Sequence, residues 1–407
     1  MRNRRVLALV MAGGKGARLF PLTRDRSKPA VPFGGKYRIV DFVLSNLVNS
    51  GVFSIYALVQ YKSQSLIEHL RTGWRPSGLL LDHFVTVVPP QMRFLSEVWY
   101  RGTADAVSQN LNLIGDFDPE VVAIFGADHV YRMDIGAMLD FHVEREAHAT
   151  VAAIPIPLAL ASGFGVIEAD AAGRVSGFEE KPQRPKPRPA DPSTALGSMG
   201  NYLFDRRVLE EILLEDLRRS TEHDFGRTIL PDLCERSRVF AYDFTANAVP
   251  GTKPTEEPAY WRDVGTLPSY FDAHMDLLGP APRFDLGNRR WPIHGVPGGE
   301  APSRIHGGEV RDALLGEGTV VRGAKVERSI LGPGVVVEEG AEIAESIVLA
   351  YTRVGRGARL RRAIVDRHNR IADGDLLGIE LDRDRRLGRH VDASGLVVLP
   401  RGPTRTE

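Results

Sequence analysis

The sequence is short of cysteine, of net charge and of long apolar runs. Its 407 residues include one cysteine, Cys234, which excludes an internal disulfide and a cysteine-based zinc site and fits a reducing compartment. Lys plus Arg and Asp plus Glu both number 52, and a chain without a basic field is a poor candidate for nonspecific nucleic-acid binding. No apolar run approaches the roughly 18 residues that span a bilayer. These absences predict a soluble, cytoplasmic protein that binds neither nucleic acid nor membrane.

Short β-rich runs alternate with helical patterns up to about residue 280. The predicted strands are Val6–Val10, Ile55–Val59, Val121–Phe125 and Thr150–Ile156, and the predicted helices between them are Ile39–Asn49 and Asp105–Ile114. Alternation of this kind indicates an α/β fold, with a mostly parallel sheet covered by helices on both faces.

A different pattern, an internal repeat, begins after about residue 300. Three aliphatic series share a 17-residue period: Val326, Ile343, Leu360 and Leu377; Leu314, Leu331, Val348 and Val365; Val320, Val337, Val354 and Ile371. Glycines that suit tight corners with positive φ fall between the series, at Gly316, Gly318, Gly332, Gly334, Gly340, Gly355 and Gly357. The three series in phase predict a left-handed parallel β-helix of about four coils.

A glycine-rich loop follows the first predicted strand directly. The segment Met11–Leu19 reads Met-Ala-Gly-Gly-Lys-Gly-Ala-Arg-Leu, and its backbone amides, with Lys15 and Arg18, suit an anion. The loop is neither a Walker A sequence nor a dinucleotide-binding Gly-x-Gly-x-x-Gly. By itself such a loop is a weak signal, since glycine-rich turns after strands are common.

The context of this loop carries a family resemblance. Ala12–Leu19, Pro21–Thr23 and Lys28–Pro32 together resemble the signature of the sugar-nucleotide pyrophosphorylases. Further matching segments are Gly34–Phe42, Trp99–Ala106, Gly126–His129, Phe178–Pro182, Ser198–Tyr202, His223–Gly226 and Tyr260–Thr266. With a C-terminal β-helix, this set is similar to the bacterial ADP-glucose pyrophosphorylases over essentially the whole chain.

The resemblance implies a fold, a domain division and a reaction. A Rossmann-like nucleotidyltransferase domain is expected at residues 1–285, a linker at 286–305 and the β-helix, for regulation or oligomerisation, at 306–407. The implied reaction joins ATP and α-D-glucose 1-phosphate into ADP-glucose and pyrophosphate, for glycogen or α-glucan biosynthesis. The family also implies a homotetramer.

Two sets of residues are expected around the reacting phosphates. The resemblance places Arg18 and Lys28 on the phosphates, and it places Ala12, Gly13, Gly14 and Gly16 around the triphosphate of ATP. Asp128 follows a buried strand at the sheet edge where ligands bind, and Asp263 joins it by the resemblance. Two carboxylates with substrate phosphates suit Mg²⁺. The lone His129 is interpreted as structural.

The remaining substrate contacts come from the resemblance alone. Lys181 is expected on the phosphate of glucose 1-phosphate, and the other residues expected around this substrate are Tyr100, Gly165, Glu180 and Ser198. Gln91, Gly102 and Thr103 are expected to border the adenine. The base is the weaker part of the assignment, because glutamine can recognise several bases.

Regulation is where the sequence departs from its relatives. The family is switched by anionic metabolites, and Arg26, Arg38 and Arg367 are the candidate residues for binding them. Asp25 stands where some members have an activator-binding lysine, Pro32 where a histidine occurs, and Gly115–Asp116 where some members carry arginines. We therefore expect anion regulation with an altered choice of effector.

Two alternatives remain open. One is a related enzyme that uses UTP, dTTP or GTP, or mannose 1-phosphate. The other is a non-catalytic regulatory homologue, whose expected mark is loss of the charged residues at the site. Against the second alternative, Arg18, Lys28, Asp128, Lys181 and Asp263 are all present.

Overall fold

A nine-stranded sheet organises the first part of the chain. The structure is a computed structural model that describes residues 4–75, 82–91 and 99–403. Before residue 300, its strands are β1 (Val6–Met11), β2 (Pro32–Phe33), β3 (Tyr37–Arg38), β4 (Ser54–Leu58), β5 (Phe84–Val88), β6 (Val121–Gly126), β7 (His129–Tyr131), β8 (Ala149–Pro157), β9 (Gly165–Ala169), β10 (Val175–Glu180), β11 (Thr194–Asp205), β12 (Val239–Asp243) and β13 (Trp261–Asp263). The helices are α1 (Ile39–Asn49), α2 (Gln64–Gly73), α3 (Thr103–Ser108), α4 (Leu111–Phe117), α5 (Ile135–Glu144), α6 (Arg206–Leu217), α7 (Leu230–Arg236) and α8 (Leu267–Met275).

Four parallel strands, in the order β5, β4, β1 and β6, form the centre of this sheet. The aliphatic strands β1 and β6 are buried on both faces, which confirms the predicted parallel core. β11 joins β6 in the antiparallel sense, and β8, β9, β10 and β12 extend the sheet beyond it. Because β1, β4 and β6 run parallel, their carboxyl ends share one edge of the sheet, and the loops that follow them meet there.

The helix predicted over Asp105–Ile114 is two helices, α3 and α4, and that prediction was wrong at the break. Asn110 causes the interruption: its side-chain Nδ2 donates to the Ala106 carbonyl at 2.8 Å, the acceptor that its backbone amide would use in a continuous helix. The Asn110 amide turns to the Val107 carbonyl instead, at 2.9 Å. A polar side chain that competes for a helical carbonyl therefore ends α3.

The last part of the chain forms the predicted parallel β-helix. Its strands are β14 (Arg304–Arg311), β15 (Leu314–Leu315), β16 (Val320–Glu327), β17 (Ile330–Leu331), β18 (Val336–Val337), β19 (Glu342–Ala344), β20 (Ile347–Val348), β21 (Arg353–Val354), β22 (Arg359–Arg361), β23 (Ala363–Val365), β24 (Arg370–Ile371), β25 (Leu376–Leu377), β26 (His390–Val391) and β27 (Val397–Leu399). The series Val326, Ile343, Leu360 and Leu377 stacks in register as predicted. All four side chains lie in one buried aliphatic core.

The first coil departs from the 17-residue period. Val337 pairs with Val321 rather than with the predicted Val320, and Leu331 pairs with Leu315 rather than with Leu314. A shift of one residue turns a strand's side chains to its other face, and Val321 is accordingly buried while Val320 is partly exposed. The step between the first two coils is therefore 16 residues.

The repeat glycines serve two different purposes. Gly318, Gly334, Gly340 and Gly357 have the predicted positive φ. Gly316, Gly332 and Gly355 do not, and a Cβ at each would come within 2.5–2.7 Å of atoms of the next coil, mostly backbone. Close approach of neighbouring coils, rather than corner geometry, therefore requires this second group to be glycine.

After β25 the chain leaves the coil, and α9 (Leu381–Arg386) follows. β27 then stacks on β23, so the face that carries Leu331, Val348 and Val365 closes with a segment 34 residues further along the chain. Leu381 and Val391 pack against the aliphatic core at this end. The insertion thus covers the end of the repeat, as stacked coils require.

An aliphatic row on the outside of the β-helix joins the two parts of the chain. Ile330, Ile347 and Ile364 stack in register on one outer face and are fully buried. They share a hydrophobic core with Phe33 and Tyr270 of the first part. The β-helix is therefore fixed to the first domain by apolar packing.

The segment between the two parts has no regular structure. Between α8 and β14 the described chain forms no helix or strand, yet Trp291 and Ile293 are buried. The predicted boundaries at residues 285 and 306 stay a prediction. In the described ranges, no helix is long and apolar enough to cross a membrane.

Candidate active site

A cavity of about 490 Å³ opens at the carboxyl edge of β1, β4 and β6. It brings together most residues that the sequence assigned to substrates: Gly13, Gly14, Arg18, Tyr100, Gly102, Thr103, Asp128, Gly165, Glu180, Lys181, Ser198 and Asp263. Of the other assigned residues, Ala12, Gly16 and Lys28 do not line the cavity, but the Lys28 ammonium contacts two carboxylates that do, Asp128 and Asp263. Gln91 lies outside it.

The glycine-rich loop after β1 is held closed by the segment that follows it. Thr23 Oγ1 donates to the Gly16 carbonyl at 3.0 Å, and the Lys28 amide donates to the Gly14 carbonyl at 3.3 Å. Gly16 has φ 63°, and a Cβ there would lie 2.7 Å from the Lys28 Cβ, so glycine is required. Gly14 has no atom within 4 Å of such a position and faces open space. The loop is thus shaped to present backbone at Gly13 and Gly14.

Lys28 is buried behind the cavity, between two carboxylates. Its Nζ donates to Asp128 Oδ2 at 3.1 Å and to Asp263 Oδ1 at 2.9 Å. Burial lowers the pKa of Lys28, but the two carboxylates outweigh this effect and raise it above 10.5. Desolvation raises the pKa of Asp128, whereas His129 and Lys28 together hold it well below its usual range. Lys28 and Asp128 are therefore both charged at neutral pH.

A two-stranded ribbon positions the two aspartates. β13 pairs with β7 in the antiparallel sense, so that Asp263 lies opposite His129, the neighbour of Asp128. Arg18 reaches the same place from the glycine-rich loop. Asp263 Oδ1 and Arg18 Nη2 lie 2.9 and 3.1 Å from one point, the position that a Cβ on Gly265 would occupy, so the two groups are neighbours. Charged groups from three segments of the chain thus meet at one end of the cavity.

The same cluster could hold a metal ion. Ligand atoms of Asp128, His129 and Asp263 lie within 4.8 Å of one another. The His129 ring also packs against Trp261 in a tilted arrangement, with ring centroids 4.9 Å apart. The carboxylate oxygens suit a divalent cation. His129, interpreted from sequence as structural, supplies one of these three candidate ligand atoms.

The other end of the cavity is formed by β9, β10 and β11. Lys181 Nζ donates to Glu180 Oε1 at 2.7 Å, and the Lys181 backbone has φ 50°. A Cβ at Gly165 would lie 2.5 Å from the Phe178 ring and 2.9 Å from Glu180 Oε2, so any side chain there would clash with the Phe178 ring and with Glu180. Ser198 lies at a bulge in β11, and its Oγ accepts from the Gly200 amide at 3.2 Å. An ammonium, a carboxylate and a hydroxyl here suit a sugar phosphate.

The wall between the two ends is built on Tyr100. Its amide donates to Gln60 Oε1 at 2.7 Å, and Gln60 Nε2 donates back to the Tyr100 carbonyl at 3.3 Å. Asn110 Nδ2 donates to the Tyr100 hydroxyl at 3.0 Å, and burial raises the pKa of this phenol. Thr103 Oγ1 donates to Asp224 Oδ2 at 2.9 Å. Its hydroxyl is therefore already engaged within the protein.

Gln91 is exposed, and its side-chain amide donates to the Pro89 carbonyl at 2.8 Å. It does not line the cavity. Residues 92–98, which continue from it, lie outside the described ranges. The predicted contact of Gln91 with adenine stays a prediction.

Comparisons with known proteins bear directly on this arrangement. The nucleotidyl transferase family matches residues 7–279, and the GlmU-like C-terminal hexapeptide family matches residues 301–399. A glucose-1-phosphate adenylyltransferase of Thermodesulfovibrio yellowstonii is 51% identical to this chain, over 98% of the chain and 96% of the relative. Relatives of the same name from Vibrio vulnificus and Anaeromyxobacter are each 48% identical, over 98% of both chains.

The chain belongs to the glucose-1-phosphate adenylyltransferase family. The predicted family and fold class are thereby confirmed. The hexapeptide match is consistent with the predicted left-handed winding of the β-helix.

Some residues that line the cavity had no contact with substrate assigned to them from the sequence. Those that it did not assign are Met11, Pro29, Leu58, Gln60, Ala106, Ile124, Gly126, His129, Gly163, Phe164, Met199, Gly200, Tyr202, Asp224, Phe225 and Gly226. Six of these residues lie within the family motifs Ser198–Tyr202 and His223–Gly226, and membership of a motif is the sequence signal that marks them. No local pattern marks Gln60, since only the fold brings it to Tyr100.

The predicted regulatory arginines lie outside the cavity, where the β-helix meets the first domain. Arg26 is buried and forms an ion pair with Asp366, and Arg38 donates to the Ser65 carbonyl at 2.5 Å. Burial and neighbouring positive charges lower the pKa of Arg38 to about 9 and that of Arg367 to about 10. Two nitrogens here, Nη1 of Arg26 and Nε of Arg367, are buried without a hydrogen-bond partner. Crowded cations with unsatisfied donors suit an anion.

Proposed function

We propose that the protein transfers the adenylyl group of ATP to α-D-glucose 1-phosphate, making ADP-glucose and pyrophosphate for glycogen or α-glucan biosynthesis. The main support is that one cavity joins the glycine-rich loop, the Lys28–Asp128–Asp263 cluster and the Glu180–Lys181 pair. The names of the relatives support the choice of nucleotide and sugar.

In this reaction a phosphate oxygen of glucose 1-phosphate attacks the α-phosphorus of ATP. The bond from that phosphorus to the bridging oxygen of pyrophosphate breaks as the new bond forms. Both reactants are anions, so the site must neutralise charge and align the attack. No protein nucleophile is needed. The roles of the residues are to bind and to orient.

We assign the triphosphate to the backbone of Gly13 and Gly14, with Ala12 and Gly16 shaping the loop. Arg18 and Lys28 would bind the phosphates undergoing transfer. Gly102 and Thr103 would border the adenine. The tight closure of the loop onto Lys28 supports this assignment.

Lys181 would bind the phosphate of glucose 1-phosphate and Glu180 its hydroxyls, beside Tyr100, Gly165 and Ser198. A single phosphate suits a lysine, which acts as a mobile point charge. This group lines the same cavity as Gly13 and Gly14 of the glycine-rich loop, which supports a site for a second substrate there.

Asp128 and Asp263 would hold Mg²⁺, for which their oxygens fit. When bound, the ion would add positive charge at the phosphate oxygens. The family resemblance further supports a cytoplasmic homotetramer.

Pyrophosphate release tests the proposal. ATP, UTP, dTTP and GTP are each supplied with glucose 1-phosphate and with mannose 1-phosphate. We expect ATP with glucose 1-phosphate to be used far better than every other pair. Preference for another pair would establish a related transferase instead, and no release from any pair would favour a non-catalytic homologue.

We also propose that an anionic metabolite activates the protein at Arg26, Arg38 and Arg367. Asp25, which lies beside Arg26 and Arg367 around a small cavity, adds a carboxylate where some relatives carry a lysine. Asp25 is half exposed and pairs with Arg24 at 3.2 Å, so its repulsion of a doubly phosphorylated ligand is screened and amounts to about 1 kcal/mol. Fructose 1,6-bisphosphate should therefore activate weakly, and glucose 6-phosphate or phosphoenolpyruvate better.

Arg367→Ala should abolish that activation and spare the unactivated rate, because Arg367 lies outside the catalytic cavity. Coupling of 1–3 kcal/mol gives an effect of about 5- to 150-fold on apparent affinity. Activation curves for the three effectors provide the measurement. Arg370→Ala, which removes an exposed arginine of the β-helix, is the control. Strong activation by the bisphosphate, or activation that survives Arg367→Ala, contradicts this proposal.

A further inference from the structure

One wall of the cavity is held by a buried histidine that does not touch the cavity itself. His223 precedes Asp224, Phe225 and Gly226, which do line the cavity. The His223 side chain is 3% exposed, as is that of Asp216, which lies near the end of α6. His223 is thus placed to act through its neighbours.

The side chain of His223 is fixed by a short polar network. Its Nδ1 lies 2.6 Å from Asp216 Oδ2, a distance that requires the imidazole to donate to the carboxylate. Thr221 Oγ1 donates to Asp216 Oδ1 at 2.7 Å and accepts from the His223 amide at 3.1 Å. The backbone of His223 has φ 51°, a left-handed conformation that a non-glycine residue adopts at a cost. The network holds the chain in this conformation.

The strained backbone of His223 supplies hydrogen-bond acceptance at the start of α3. Its carbonyl accepts from the amides of Ala104 and Asp105, at 2.9 and 3.1 Å, and so satisfies the first turn of that helix. Gly102 passes directly against the same carbonyl, and a Cβ there would overlap it. Rotating His223 out of its conformation would therefore release the start of α3.

The next residue, Asp224, carries the connection into the cavity. Its Oδ1 accepts from the Gly226 and Arg227 amides at 3.0 and 3.2 Å, and its Oδ2 accepts from Thr103 Oγ1. Glu180 lies close to this turn: its Oε2 is 2.7 Å from the position that a Cβ on Gly226 would occupy. The segment Asp224–Gly226 is therefore one side of the proposed sugar-phosphate end.

We propose that His223, through its bond to Asp216, is a positioning residue that sets the sugar-phosphate end of the cavity. This inference rests on the proposed function for the identity of the ligand. The effect should fall mainly on glucose 1-phosphate. Asp224–Gly226 follows His223 directly in the chain and faces Glu180, whereas Tyr100, beside the Gly102–Thr103 segment, is held separately by Gln60.

The test uses full-length His223→Leu, which removes the donor and keeps the bulk. We expect the KM for glucose 1-phosphate to rise about tenfold or more, and the KM for ATP to change by less than about threefold. Titration calorimetry with glucose 1-phosphate, in the presence of a non-hydrolysable ATP analogue, should show the same loss of affinity. Asp216→Asn, which keeps the volume but removes the charge, should shift the same constant in the same direction and covers the case in which His223→Leu does not fold.

Rescue and control variants separate positioning from general stability. His223→Asn retains a donor at the position of Nδ1 and tolerates the left-handed conformation, so it should restore most of the affinity. The control is His142→Leu, which removes another buried histidine. His142 lies in α5, is hydrogen-bonded to Thr150 Oγ1 at 2.8 Å and does not line the cavity, so both KM values should be unchanged in the folded variant.

Three outcomes would overturn the inference: unchanged affinity in folded His223→Leu, an equal loss for ATP, or no rescue by His223→Asn. The proposed reaction fails separately. The proposed reaction is overturned if the unmodified protein binds glucose 1-phosphate but makes no ADP-glucose. The positioning role can still be tested in that case, by comparing the affinities of His223→Leu and the unmodified protein for glucose 1-phosphate.

Discussion

Asp128→Asn should reduce turnover by about 100- to 1,000-fold while leaving the fold intact, as expected when one preorganised charged group is removed from a polar transition state. Asn keeps the shape of the side chain but removes a charge that faces buried Lys28 at 3.1 Å and that belongs to the proposed Mg²⁺ site. Asp263→Asn should act similarly, because Asp263 Oδ1 lies 2.9 Å from the same ammonium. Steady-state turnover measured against Mg²⁺ concentration checks both variants.

A matched control is available on α5. Asp140→Asn changes an exposed aspartate that does not line the cavity, and its turnover and Mg²⁺ dependence should equal those of the unmodified protein. Circular dichroism of each variant should confirm an unchanged fold. Normal turnover in Asp128→Asn with unchanged Mg²⁺ dependence would eliminate this residue as a ligand.

Lys181→Gln should raise the KM for glucose 1-phosphate by about 10- to 150-fold, the effect of losing one charge-assisted contact worth about 1.5–3 kcal/mol. The KM for ATP should change far less, because Lys181 and its partner Glu180 lie at the end of β10, which three strands of the sheet separate from β1 and the loop that follows it. Substrate-saturation curves for each substrate at saturating levels of the other provide the measurement.

Lys186→Gln is the control for this change. Lys186 lies five residues after Lys181 and forms an ion pair with Glu168 at 2.6 Å, but it does not line the cavity. Both KM values should be unaffected by its loss. If Lys181→Gln weakened both substrates equally, Lys181 would serve folding or the triphosphate and not the sugar phosphate.

Features encoded by short stretches of sequence were predicted well. The strand β1 and the glycine-rich loop after it are adjacent in the chain, so burial pattern and turn composition identify both. The β-helix follows from a 17-residue period because each coil packs on its sequence neighbour. Where one residue changed the local geometry, the prediction was wrong: Asn110 divides a helix, and the first coil is one residue shorter than the period.

The positions of the assigned site residues could be predicted only in part. Asp128 could be placed at a sheet edge, because the residue that follows a buried parallel strand lies at the carboxyl end of the sheet. The orientation of Lys28 could not be predicted, since a lone lysine before a proline is usually exposed. It turns inward because two carboxylates, 100 and 235 residues further along the chain, compensate its burial.

The sequence by itself determined the central strands β1, β4 and β6, the two-part architecture and the family. The strands depend on patterns within short segments, the β-helix on a period that repeats from coil to coil, and the family on motifs along the chain. Only the tertiary structure decided that Ile330, Ile347 and Ile364 join the two parts, and that His223 holds a wall of the cavity through Asp216. Such contacts depend on how distant faces dock and on which buried polar groups find partners. Those energies belong to the packed structure and to no short segment of the chain.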